Sequence, residues 1–391
     1  MATDLTVLCL NSGSSSLKFA LYLVGDSAEA AVADGELDRI GIDGGKLSIR
    51  AGGERSERDE HAAGHRAATR IVFAELARRN FAAPDAIGHR VVHGGIEHAA
   101  PARVTSELVA TLRSLVPLAP LHLPNEIVVI EEAASQYPAT PQIACFDTAF
   151  HRRMPEIAQH YPLPRRYWDA GVRRFGFHGI SYEYIMHALG DDAPPRIVIA
   201  HLGNGASLAA IEDGRPVDTT MGFTPAGGLM MGTRAGDIDP GVLVFAMREM
   251  GLDADAVDRL VNRESGLIGV SGATSDMKNL LERRASDPAA ALAVDLFCRI
   301  VLKQIGALVS VLGGLDLLVF TAGIGERAAP IREQVCEGLA YLGVTIDRVR
   351  NAAHADTISS ATSRCKVRVI ATREDLMIAR HARRMVTAGH S

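Results

Sequence analysis

Two short segments limit what this chain can become. "VLCLNSGSSSLKFALY" (residues 7–22) and "VIAHLGNGASLAAIED" (residues 198–213) each run apolar, pass through a knot of Gly, Ser and Asn, and turn apolar again. Setting Ser16 against Ser207 and Leu17 against Leu208 aligns them. The pattern predicts a hairpin whose turn takes φ > 0 and presents backbone N–H groups. Its recurrence predicts an internal duplication, and therefore two similar domains. The first knot is not a Walker A loop, which needs GxxxxGK[ST] leading into a helix; here Lys18 is followed by Phe19-Ala20-Leu21-Tyr22, which alternates as a strand does. Two readings stay open for it. In one, Gly13 closes the turn on a phosphate while Asn11 and the serines hydrogen-bond it and Lys18 adds a point charge. In the other it is a polar hairpin tip with no ligand. Gly203-Asn204-Gly205 divides the same way, between close approach to an anion and an ordinary Asn-Gly turn.

The rest of the chain reads as α/β. Runs rich in Val, Ile and Leu, "TVLCLN", "AIGHRVVH", "PQIACFD", "RIVIAHLG", "DLLVFTAGIG" and "KVRVIAT", predict strands. "AAGHRAATRIVFAELARRN" and "DPAAALAVDLFCRIVLKQIGALVSVL" space their apolar residues as helices do, the second packing under a sheet. A length of 391 residues fits two domains, with "WDAGVRRFGF" as a boundary region between the two hairpins. At 47% apolar and 22% charged residues the chain can bury a sizeable core. A net charge of -5 argues against a nucleic-acid surface. Five scattered cysteines suggest neither a disulfide framework nor a CxxC metal site, and fit a reducing cytoplasm. No export or membrane segment is expected, because "MATDLTVLCLNSG" lacks a basic start and Gly313, Gly314 and Asp316 break the longest apolar run.

Several residues stand where chemistry is done, each with a structural alternative. Asp147 closes "QIACFD" and Glu374 follows "KVRVIAT"; carboxylates at strand ends suit Mg²⁺, and equally suit helix caps. Cys145 reads as core. Arg90 in "GHRVVHGG" and Arg234 in "MGTRAGDIDPG" sit among glycines and strand residues, as oxyanion clamps do, though a surface salt bridge explains either one. His178, framed by glycines in "GFHG", and His122, before "LP", are structural or donate to a phosphoryl oxygen. "VFTAGIGE" puts Gly323 and Gly325 between a strand and a helix, where open α/β sheets bind nucleotides and where plain turns also occur.

Together these stretches resemble the acetate kinase family of acyl kinases, within the acetate and sugar kinase, heat-shock chaperone and actin superfamily. The likeness runs through "NSGSSSLKF", "GHRVVHGG", "LAPLH", "FDTAFH", "GFHGIS", "HLGNGAS", "MGFTP", "MGTRAGDIDPG", "AGIGE" and "TREDLMIAR", in the family's order. It implies a duplicated actin-like (ribonuclease H-like) two-domain fold with a cleft between the domains. The expected domains are 1–150, with a C-terminal helix of about 375–391 packing back on it, and 151–374 as the nucleotide-binding domain. It also implies a cytoplasmic homodimer, with no nucleic-acid or membrane partner. The implied reaction is reversible, Mg²⁺-dependent (or Mn²⁺-dependent) transfer of the ATP γ-phosphoryl group to acetate.

By the same resemblance, Arg90 and Arg234 are the carboxylate and phosphoryl clamps, and Asn11, Ser14, Ser16 and Lys18 form the first phosphate hairpin. Asn11, Asp147 and Glu374 stand on the magnesium side, and His178 donates to the transferring phosphoryl group. Val92, Leu121, His122, Phe177 and Pro225 hold the acyl group. His201, Gly203, Asn204 and Gly205, then Asp276, Met277 and Lys278, then Gly323, Ile324, Gly325 and Arg327, hold the nucleotide.

The chain departs from the family pattern at four places: Leu123-Pro124-Asn125 after "LAPLH" where the family has Asn-Pro, Met277-Lys278 for an aromatic and an arginine, Arg327 for an asparagine, and Tyr182 for a histidine. Two of these lie in the implied adenosine pocket and keep GTP or pyrophosphate in view as donor. Propionate or butyrate as acceptor, and a catalytically inactive nucleotide-binding regulator, are the other readings.

Overall fold

The computed structural model describes residues 4–26 and 28–388. The chain folds as two compact units, residues 1–150 with 373–391, and residues 151–372. The first is built on eight strands: β1 (Leu5–Ser12), β2 (Leu17–Val24), β3 (Glu29–Leu37), β4 (Lys46–Ala51), β5 (Glu54–Asp59), β6 (Ala86–Val91), β7 (Ala102–Arg103) and β8 (Gln142–Phe146). Their order across the sheet is β5-β4-β3-β2-β1-β6-β8-β7. The second unit carries β9 (Arg196–Leu202), β10 (Ala206–Glu212), β11 (Arg215–Thr219), β12 (Leu317–Thr321) and β13 (Lys366–Val369), in the order β11-β10-β9-β12-β13.

The duplication expected from the two hairpins is present in the topology. In the first unit β1 pairs antiparallel with β2 and β2 with β3, while β1, β6 and β8 run parallel. In the second, β9–β10 and β10–β11 are antiparallel, and β9, β12 and β13 run parallel. Each unit therefore holds the same five-stranded sheet, enlarged in the first by β4, β5 and β7. Both Gly/Ser/Asn knots are hairpin turns, of residues 13–16 and 203–205, but neither takes the positive φ expected of it: no residue in either turn is left-handed.

Among the parallel strands β8 ("QIACF") and β12 ("LLVFT") are buried along their whole length, because helices cover them. The helix Pro288–Leu312 lies on β9, β10 and β11. Its start is set by the Asp287 carboxylate, which accepts from the Ala289 and Ala290 amides, and by Pro288; its end is set by Gly313 at φ 66. Its Phe297, Val301, Ile305 and Leu308 are buried, each worth about 1.5–3 kcal/mol when fully buried.

The helix Glu374–Ala388 follows β13 in sequence yet belongs to the first unit, against β1, β2, β6 and β8. It approaches β6 so closely that a Cβ on Gly88 would lie 2.4 Å from the Ile378 side chain. Residues 389–391 of the expected C-terminal helix lie outside the described residues.

Three sequence expectations need correction. The strand in "DLLVFTAGIG" stops at Thr321, because Ala322 takes φ 64 and opens a short helix, Ala322–Arg327. Glu374 does not close a strand; β13 ends at Val369 and Glu374 is the first residue of the last helix. The stretch "WDAGVRRFGF" lies inside the second unit, and the chain changes unit at 150/151 and 372/373.

Candidate active site

In the first unit, β1, β6 and β8 run parallel side by side, so their carboxyl ends share one edge of the sheet. Asn11 lies near the end of β1, Arg90 near the end of β6, and Asp147 just beyond β8. The Arg90 guanidinium donates from Nε to Asp147 Oδ1 at 3.1 Å and from Nη2 to Oδ2, and from Nη1 to Asn11 Oδ1 at 3.2 Å. Asn11 Nδ2 in turn donates to Glu374 Oε2 at 3.3 Å, which lies 3.8 Å from Arg90 Nε. Burial alone lowers the pKa of Arg90, but Asp147 and Glu374 outweigh it and hold the guanidinium above its ordinary value. A cation is thus fixed in a fork with two carboxylates around it.

Two residues that the sequence did not mark support this edge. His65, first residue of the helix His65–Arg78, donates from Nε2 to the Gly13 carbonyl at 2.9 Å, while Gly13 N–H donates to Ser16 O at 2.8 Å. The first turn is therefore tied at both ends, with Ser14 and Lys18 exposed beside it. Glu126, on the helix Leu123–Gln136 that begins after His122, accepts the Val92 N–H at 3.0 Å. Val92 and Leu123 are buried; Leu121 and His122 are half-buried.

Glu126 is itself buried, and that burial pushes its carboxyl up to about 8 against the opposing pull of Arg90 and the Val92 amide, with Asp147 adding to the rise. A carboxyl whose folded pKa lies above its unfolded value binds its proton more tightly in the folded chain. The stability this gives is complete below pH about 4 and is lost as the pH rises through about 8. Glu126→Gln is accordingly expected to flatten the fall in melting temperature of the wild type between pH 6 and 9. Parallel pH profiles for the two proteins would contradict this.

In the second unit the turn 203–205 is the meeting point. A Cβ placed on Gly205 would sit 2.9 Å from Arg234 Nη2 and 3.1 Å from His178 Nε2, so both cationic or donor tips border that glycine. A Cβ placed on Gly203 would lie 3.6 Å from that of Ala322 in the AGIGE turn, and Gly232 N–H donates to the Asn204 carbonyl at 3.0 Å. Arg234 is also steered by its Nη1, which donates to the Pro225 carbonyl at 2.8 Å. Gly205→Ala keeps an allowed backbone and crowds only two side-chain tips. We expect a fold within about 1 kcal/mol of wild type and a turnover lower by at least about tenfold. Unchanged turnover would show that the close approach is incidental.

His178 adopts φ 58, a left-handed conformation that costs a non-glycine residue roughly 1 kcal/mol or more and marks a site held by its surroundings. Its ring stacks on His201 at 4.1 Å between centroids. Each imidazole is hydrogen-bonded through Nδ1 to a serine at 2.8 Å, His178 to Ser207 and His201 to Ser181. Phe177 and Pro225 are buried, and the Phe177 carbonyl accepts from His151 Nε2 at 2.9 Å.

The remaining nucleotide-side residues divide. Gly323, Ile324, Gly325 and Arg327 lie on the helix Ala322–Arg327 beside the 203–205 turn. Glu326 braces that helix, its Oε1 accepting from the Ala322 N–H at 2.9 Å and the Thr372 N–H at 3.1 Å. Asp276 caps the helix Met277–Arg283 by accepting from the Lys278 N–H; Met277 is buried and Lys278 exposed.

Two copies of one five-stranded sheet, each ending in a polar hairpin turn, define a duplicated α/β kinase-like fold of the actin class. The Acetokinase family model matches residues 6–380, and the chain belongs to that family. An acetate kinase of Methylocella silvestris is 45% identical over 96% of each chain. Among solved structures, the acetate kinase of Porphyromonas gingivalis superposes with a TM-score of 0.86 at 36% identity, covering 97% of this chain and 99% of that one. A propionate kinase from Francisella tularensis superposes with a TM-score of 0.91 at 34% identity, with the same coverage.

Proposed function

We infer that this chain is an acetate kinase, transferring the γ-phosphoryl group of ATP to acetate by direct in-line displacement and running the reverse reaction to ATP. The observation that carries the reading is the approach of Arg234 and His178 to one glycine of the second hairpin, on a chain of this family. Acetate is ionised at neutral pH, so the reaction needs no strong base. Its obstacle is the repulsion between a carboxylate and a polyphosphate. A loose phosphoryl transition state is served by positioning and by fixed positive charge. In this reading Arg234 clamps the phosphoryl group, and His178 donates from Nε2 to its oxygens. Arg90 orients the acetate carboxylate, while Val92, Leu121, His122, Phe177 and Pro225 contact the acyl group. Asn204 and the turn amides hold phosphate, with Asn11, Ser14, Ser16 and Lys18 as the other phosphate hairpin. His201, Gly203, Gly205 and the Gly323–Arg327 turn take the nucleotide, Asp276 and Lys278 bordering it.

Asn11, Asp147 and Glu374 offer few, hard oxygen donors, the set that suits Mg²⁺ held mainly by water and phosphate. No three His, Cys, Asp or Glu side chains among the described residues converge into a ready-made metal site. When bound, the ion neutralises phosphate charge and aligns the donor.

A homodimer is supported by an apolar surface on and beside the helix Pro240–Glu249, where Val242, Val244, Phe245, Met247 and Met250 are all exposed. Five free, buried cysteines suit a reducing cytoplasm, and no helix among the described residues is long and apolar enough to cross a membrane. The solved propionate kinase favours propionate as the second acceptor to consider, since one methylene is worth only about 1–3 kcal/mol. The reverse reaction tests the reading: ADP with acetyl, propionyl and butyryl phosphate, ATP being measured. The highest kcat/KM is expected with acetyl phosphate. Folded protein that makes ATP from none of the three would overturn it.

A further inference from the structure

Tyr182 stands where the family pattern has a histidine, and the sequence alone gives it no task. It is fully buried on the helix Gly179–Leu189. Its hydroxyl lies 2.5 Å from Ser207 Oγ, and Ser207 Oγ lies 2.8 Å from His178 Nδ1. We propose that Tyr182 is a positioning residue for His178. Through Ser207 it fixes the imidazole as the tautomer that carries its proton on Nε2, the nitrogen that faces the 203–205 turn. The proposal rests on the acetate kinase reading for its consequence in turnover, but not for the tautomer itself.

The argument is proton counting along three groups. A phenol is a stronger acid than an aliphatic alcohol, so in the short contact Tyr182 donates and Ser207 accepts. The one serine proton then points to His178 Nδ1, which must accept, and a neutral ring with an acceptor at Nδ1 holds its hydrogen at Nε2. That nitrogen borders Gly205 together with Arg234. A donor there suits phosphoryl oxygens; the opposite tautomer would aim a lone pair at them. The His178 ring stacks on that of His201, with 4.1 Å between centroids. The His201 Nδ1 is held by Ser181, the residue next to Tyr182, so one turn of helix sets both rings.

The test reads the ring directly. In enzyme labelled with ¹⁵N-histidine and free of substrates, long-range ¹H–¹⁵N spectra should give His178 as the Nε2–H tautomer in the wild type and as a mixture in Tyr182→Phe. Turnover of Tyr182→Phe should fall on the order of 10- to 100-fold with KM for acetate and ATP nearly unchanged. Because the effect passes through one hydroxyl, Ser207→Ala and the Tyr182→Phe/Ser207→Ala double variant should have the same kcat. An Nδ1–H ring in the wild type overturns the proposal even if Tyr182→Phe does not fold. A tautomer unchanged by Tyr182→Phe, or strictly additive losses in the double variant, overturns it too. Wild-type enzyme that makes no acyl phosphate sinks the acetate kinase reading and leaves the tautomer result standing.

Discussion

Arg234→Ala is expected to lower kcat about 10³-fold, the scale on which an arginine acting on a transferring phosphoryl group is felt. Its guanidinium is half-buried and is held to the Pro225 carbonyl, with Nη2 bordering the 203–205 turn. The loss should fall on turnover far more than on KM, since charge at the transferring group matters most when the bond to the leaving oxygen is breaking. The fold should survive, because Arg234 is only half-buried and its loss takes a single donor from the Pro225 carbonyl. Near-normal turnover of a folded Arg234→Ala protein would remove Arg234 from the reaction.

The second large effect concerns stability. Arg332 is wholly buried on the helix Ala329–Gly338. It donates to the carbonyls of Gly325, Glu326 and Asn351 at 2.8 to 2.9 Å and to Asn351 Oδ1 at 2.8 Å, and it meets His354 Nδ1 at 3.0 Å. Burial pulls its pKa down to about 10, so it is charged at neutral pH, held by backbone and amide oxygens. Those carbonyls include the last turn of the helix that carries Gly323 and Ile324. Arg332→Ala leaves them unsatisfied in the interior and opens a cavity, at a cost of about 3–5 kcal/mol. A melting temperature lower by about 10 °C is the expected result. Arg332→Lys should recover only part of it, since an ammonium cannot reach the same carbonyls as a planar fork. A melting temperature unchanged by Arg332→Ala would mean that the AGIGE turn holds itself.

What the sequence disclosed, and what it withheld, follows from the range of the interactions. A hairpin is local: Gly13 and its serines, or Gly203-Asn204-Gly205, carry their turn in adjacent residues, so both turns and the duplication they imply were legible. The same holds for the parallel strands, whose unbroken apolar runs announce burial. The short helix of residues 322–327 was not legible, because it opens on Ala322, which takes a left-handed conformation that no propensity favours. Glu374 was misplaced because Ile370 and Ala371 carry the apolar run of β13 on past Val369, where the strand ends.

His65, Glu126 and Arg332 had no periodicity or spacing to mark them. Each matters through a single partner distant in sequence or a buried backbone carbonyl. A charged residue on an apolar helix face, as Glu126 and Arg332 both are, was the one available hint, and it names a buried group without naming its partner.

The most direct test of the whole account is formation of an acyl phosphate. Acetate, Mg²⁺ and a phosphoryl donor are incubated with the enzyme, and the product is trapped by hydroxylamine, with ATP, GTP and pyrophosphate compared in parallel. The account predicts acetyl hydroxamate with ATP, abolished by leaving out acetate and nearly abolished in Arg234→Ala. Hydroxamate with pyrophosphate alone would contradict the nucleotide site around Gly323. No hydroxamate with any donor, from protein shown to be folded, would contradict the acetate kinase reading itself.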